Sequence, residues 1–99
     1  MKSKITNKNI ADFLKADLHG DVHQIVSLSS FPNKVNNSIS FLQGINVQIG
    51  KIKKESTIIA SKPHYKYLKK FGCSIISSDN PKYDFARICY RFFEKKNNL

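Results

Sequence analysis

Acidic side chains are scarce in this chain: 7 Asp and Glu stand against 17 Lys and Arg in 99 residues, for a net charge of +10. So few carboxylates offer few acid–base pairs. The three histidines lie near no candidate Ser or Cys in sequence, and neither a GxSxG elbow nor a phosphate-cradling glycine loop occurs. The sequence therefore names no catalytic residue and no cofactor. Arginine is scarce too, since only Arg87 and Arg91 accompany the lysines. Readers of phosphates and bases use Arg forks, so a Lys-rich and Asn-rich chain makes nucleic acid an unlikely partner despite its charge. Cysteine is limited to Cys73 and Cys89, with no CxxC or CxxH spacing. Both read as small buried hydrophobes, without a disulfide or a zinc site.

Long apolar runs are missing as well. No stretch approaches the roughly eighteen apolar residues that a membrane helix needs, and Met1-Lys2-Ser3-Lys4 is no secretory start. The expectation is a soluble, cytoplasmic chain without membrane insertion. Internal repeats, heptads and low-complexity linkers are absent, and so is the hexapeptide pattern of a parallel β-helix. His19 and His23 flank Gly20-Asp21-Val22, where the glycine breaks the helical geometry that would bring two imidazoles to one metal. Turn polarity is the expected role of both.

What is present is a single domain, residues 1–99, with 40% hydrophobic residues. A chain of this size buries roughly two-thirds of its unfolded surface. Asp79-Asn80-Pro81 opens a helix, because Asn80 supplies a capping side chain and Pro81 gives up an N–H that has no partner at that position. Phe85, Ile88, Cys89, Phe92 and Phe93 form its buried stripe, and Lys82, Arg87, Arg91 and Glu94 are expected to face water. Residues 73–77 read as a short buried strand ahead of it.

Earlier in the chain, residues 4–6 suggest an edge strand, and Thr6 or Asn7 caps a helix whose stripe is Ile10, Phe13 and Leu14, ending near Lys15. Residues 22–28 and 39–42 read as strands, the second broken by Gly44. Residues 46–54 predict one or two helical turns presenting Lys51, Lys53 and Lys54. The β-branched run 56–61 predicts a strand, and Pro63 starts a helix through Tyr67, Leu68 and Lys70 that stops at Gly72. Alternating strand and helix predicts an α/β fold: a short mixed sheet with helices packed on it and right-handed crossovers.

Two surfaces suggest binding. Phe41, at the end of its strand, offers a ring for stacking on a flat heterocycle, with Gln43 or Asn46 to bond a base edge; a plain core role fits the same ring. Lys51, Lys53, Lys54, Lys66, Lys69 and Lys70, interleaved with Tyr65 and Tyr67, make a basic surface that suits a nucleic acid or simply two solvated helix faces.

From Ile5 to Phe93 the chain resembles the N-terminal domain of the LpxD-type UDP-acylglucosamine N-acyltransferases of lipid A synthesis. Residues 11–21 resemble that family's opening helix and "ELxGD" turn, residues 25–42 its "I-x-G-V-A-S-L…G-D-L-S-F-L" stretch, and residues 79–87 its "NP…FAR" motif. The layout is more remotely similar to the first domain of the Mur ligases. The resemblance implies a small α/β domain that holds the uracil of a UDP-linked amino sugar and precedes a hexapeptide-repeat β-helix carrying the acyl transfer site. Those repeats are absent from these residues, so no catalytic residue carries over, and a separate hexapeptide-repeat acyltransferase becomes the expected partner. Phe41 matches the family's uracil-stacking Phe. Gly44 and Val47 stand where the family has Asn and Tyr, leaving Gln43 or Asn46 to replace the amide and Tyr65 or Tyr67 to fold over as the second ring. The resemblance thus implies nucleotide-sugar recognition or docking; alternatives are a protein-docking module that has lost uridine and, less favoured, a basic nucleic-acid-binding domain.

Overall fold

In the computed structural model, which describes residues 5–28, 36–42 and 53–93 (of Tyr67 only the backbone), two Ile-Ile pairs organise the interior. Successive strand residues point to opposite faces, so Ile58-Ile59 and Ile75-Ile76 each feed two cores. Ile59 and Ile76 join Ile10, Ala11, Ile25, Ile39 and Ile88 on one face of the sheet. Ile58 and Ile75 join Leu42, Ala60, Leu68 and Cys73 on the other. This is a small α/β fold with helices on both faces of a mixed sheet.

The strands are β1 (Leu18–His19), β2 (Ser27–Leu28), β3 (Ser38–Phe41), β4 (Thr57–Ala60) and β5 (Ser74–Ser77). Their order across the sheet is β1-β5-β4-β3-β2, with β2 to β5 parallel and β1 antiparallel to β5. Every residue of the central β4 is buried, as expected of a parallel strand covered on both faces. Helices α1 (Asn7–Leu14) and α3 (Pro81–Ile88) supply the first core, and α2 (Tyr65–Lys69) the second.

Local chemistry sets the helix ends. Thr6 caps α1 in a reciprocal box: its Oγ1 accepts from Asn9 N at 3.2 Å, and Asn9 Oδ1 accepts from Thr6 N at 2.9 Å. The helix closes on Lys15 in the left-handed region at φ 58°, with Ala16 N donating to Ala11 O at 2.9 Å. Asn80 caps α3 ahead of Pro81, as the sequence predicts. The Pro63 segment begins as a 3-10 turn, Lys62–His64, before α2, which ends at Lys69, short of the Lys70–Gly72 stop expected from sequence; Gly72 (φ 75°) closes the turn that follows.

Four expectations need correction. Only Ser27–Leu28 of residues 22–28 form a strand, because the segment changes partners. Ile25 N donates to Ile5 O and Thr6 bridges Gln24, whereas Val26 N donates to Asn37 O. Val22 and Val26 are left 57% and 59% exposed. The edge strand expected at residues 4–6 is reduced, among the described residues, to that single bridge at Thr6. Residues 53–55 form a turn, with the rest of the expected 46–54 helix outside the described residues. Arg87 does not simply face water. Its guanidinium lies 5.1 Å from the Phe13 ring centroid and donates to Asp84 Oδ1 at 3.4 Å; Glu94 lies outside the described residues.

Candidate functional site

Four parallel strands end on one edge of the sheet, and in open α/β sheets that carboxyl edge is where ligands sit. Phe41 is the last residue of β3 and pairs with Ile59. One strand over, β4 runs out into Ser61, Lys62 and Pro63; beyond it β5 runs out into Ser78, Asp79 and Asn80. The turns after β4 and β5, together with the end of α1 (Leu14, Lys15, Ala16), Tyr65 and Asp84, enclose a cleft of about 550 Å³.

Hydrogen bonds hold the floor of this cleft. Ser78 N donates to Ala60 O at 3.0 Å, Ser78 Oγ donates to an Asp84 carboxylate oxygen at 2.6 Å, and Asn80 N donates to Ser78 Oγ at 3.0 Å. Strand end, turn and first turn of α3 become one unit. Lys15 and Lys62 are balanced by Asp79 and Asp84, so the lining is polar without a dominant charge. Among the described residues, the Tyr65 hydroxyl is buried with no hydrogen-bond partner, an unsatisfied state rare in native structures.

Phe41 is half-buried. Its ring packs against Phe85 of α3 with centroids 4.9 Å apart and planes tilted by 45°, on the Ile39–Ile59 side of the sheet. Gln43 and Asn46, the amides expected beside it, lie outside the described residues, as do Gly44 and Val47. Tyr65 does not fold over Phe41. It belongs to the core on the opposite face, and its ring lies 5.0 Å from that of His19.

On the lysine surface, Lys53, Lys54, Lys66, Lys69 and Lys70 are exposed, while Lys51 and the side chain of Tyr67 lie outside the described residues. Because Tyr65 is packed inward, it does not interleave with them. Across the sheet, His19, Gly20, Asp21, Lys69 and Cys73 line a smaller hollow of about 320 Å³. Its thiol is poorly suited to attack: burial pushes Cys73 up from 9.0 to about 11, partly offset by a backbone hydrogen bond, so at neutral pH it stays protonated. Turn polarity is the sequence expectation for both histidines, but His19 belongs to β1; the turn between it and His23 is pinned through Asp21 O, which accepts from Asn7 Nδ2 at 3.0 Å and Ser74 Oγ at 2.6 Å. No group of three or more His, Cys, Asp or Glu side chains is placed to hold a metal among the described residues. No helix among them is long and apolar enough to cross a membrane.

Sequence reasoning placed Phe41 at a strand end but passed over the cleft. Its polar residues come from the turns after α1, β4 and β5; the shared direction of β4 and β5 unites the last two, and the packing of α1 on the sheet brings in the first. In comparisons with known proteins, the chain matches no family model and no curated protein.

Proposed function

We propose that this chain is a non-catalytic module that recognises or docks a UDP-linked amino sugar and works with a separate acyltransferase, as its resemblance to the LpxD N-terminal domain implies. The observation that carries this reading is the position of Phe41: a half-buried ring at the carboxyl end of β3, on the same sheet edge as the polar cleft after β4 and β5. Uracil stacks on the part of the ring that Phe85 leaves open, with Gln43 or Asn46 bonding its edge. The diphosphate and sugar then extend toward Lys62, Ser61 and Asn80. Titration calorimetry with UMP and UDP-GlcNAc tests it. Both ligands are expected to bind weakly, and Phe41→Leu, which keeps apolar volume against Phe85, loses on the order of 1–3 kcal/mol, the worth of a base–aromatic contact. No heat from either ligand overturns the reading.

A protein-docking module without uridine binding is the second reading. It is favoured by the engagement of Phe41 with Phe85, which gives that ring a packing role of its own. Co-purification with a hexapeptide-repeat acyltransferase, unaffected by Phe41→Leu, is the outcome that separates it from the first.

A further inference from the structure

Helix α3 continues through a π-helical turn at Cys89–Phe93, and its outward side carries an unusual set of residues for this chain. Tyr83 and Tyr90 are 60% and 77% exposed. Spaced with Arg87 at i, i+4 and i+7, they form one ridge of the kind by which helices anchor in partners. Both arginines of the chain lie on this ridge, and both stack on the same ring: Arg87 is 5.1 Å and Arg91 5.8 Å from the Phe13 centroid. Arg87 also lies 5.9 Å from the Tyr83 ring. Stacking holds both guanidinium planes in place; Arg87 spends one Nη1 bond on Asp84 at 3.4 Å, so the N–H groups of Arg91 and the rest of those of Arg87 are pre-oriented, which lowers the entropy lost on pairing.

Among the described residues, the nearby carboxylates are already engaged. Asp84 accepts from Ser78 and Arg87, and Asp12 pairs with Lys8 at 3.0 Å. The ridge therefore presents tyrosine rings and positive charge. Tyr and Arg are enriched at the cores of protein interfaces, whereas Lys, which dominates the rest of this surface, is depleted there. A second copy of the chain would bring its own +10 charge to the contact. A nucleic acid has the dispersed lysines to follow and gains no groove from a convex helix.

The geometry points to the Tyr83–Arg87–Tyr90–Arg91 ridge as a docking surface for an acidic segment of a partner protein, with carboxylates on the guanidinium edges and side chains against the tyrosine rings. It requires neither uridine binding nor its loss. The test is an amide-shift titration of the labelled full chain with poly-L-glutamate at low ionic strength. Shifts are expected to centre on Tyr83, Arg87, Tyr90 and Arg91. The pair Tyr90→Ser and Arg91→Gln, both at exposed positions, should weaken binding about ten-fold, the scale of a lost interface hot spot, while Lys66→Gln and Lys69→Gln leave it unchanged. Absence of binding, shifts spread over the lysines, or an equal loss in the lysine variant overturns the proposal. Tighter binding of oligo-uridylate at the ridge also overturns it and makes this face a nucleic-acid surface.

Discussion

Cys73 shows how far one side chain's surroundings alter its chemistry. The residue is 5% exposed, and its thiol donates to Leu68 O at 3.6 Å. Burial disfavours the thiolate, raising the folded-state pKa from 9.0 to about 11. A raised pKa means that the folded chain holds this proton where the unfolded chain has released it. Its contribution to stability is thus full below about pH 9 and falls as the pH rises toward about 11. Urea denaturation across that range should show a declining midpoint, with a smaller decline in Cys73→Ala. The burial of Cys73 was legible from the apolar run at 73–77, although the strand itself starts one residue later, at Ser74. The role of Asn7 was not. Sequence suggests a cap, yet the structure buries its amide completely, with Nδ2 donating to Asp21 O and Thr57 Oγ1 and Oδ1 accepting from His23 N. A buried polar group needs such partners, and these lie up to 50 residues away.

Among the elements, those with punctuation were legible and those set by pairing were not. Thr6, Asn80 and Pro81 are local signals, and the starts of α1 and α3 fall where they stand, whereas α2 stops at Lys69, a turn ahead of Gly72. β1 has only two residues, too few for any alternation, and exists because Leu18 and His19 pair with Ile76 and Ile75. The two caps also differ in geometry. At α1 the box closes with bonds of 3.2 and 2.9 Å, whereas at α3 Asn80 Oδ1 accepts from Tyr83 N at a long 3.4 Å. Thr6→Ala is therefore expected to cost about 1 kcal/mol or more and Asn80→Ala about half that. Chemical denaturation of the two variants checks the ranking, and equal losses would count against it.

For the whole molecule, the sheet divides the interior, and the division predicts how substitutions combine. Ile59 and Ile76 are register partners in one core, while Ile75 lies in the other. Each Ile→Val change removes one methylene, at about 0.5–1.5 kcal/mol. Ile59→Val with Ile76→Val should depart from additivity, because each changes the space the other fills. Ile59→Val with Ile75→Val should add more nearly; double-mutant cycles by urea unfolding measure both. By itself the sequence determined the α/β class, most helix ends, the buried strands around 57–60 and 74–77, and the place of Phe41 at a strand end. These depend on neighbours along the chain: caps, proline, glycine and β-branched runs act within a few residues. Tertiary structure alone decided the strand order, the partner switch at residues 24–26, the cleft drawn from three turns, and the stacking of both arginines on Phe13. Each of these joins groups far apart in sequence, and their energy comes from burial and hydrogen bonds that exist only once the sheet has assembled.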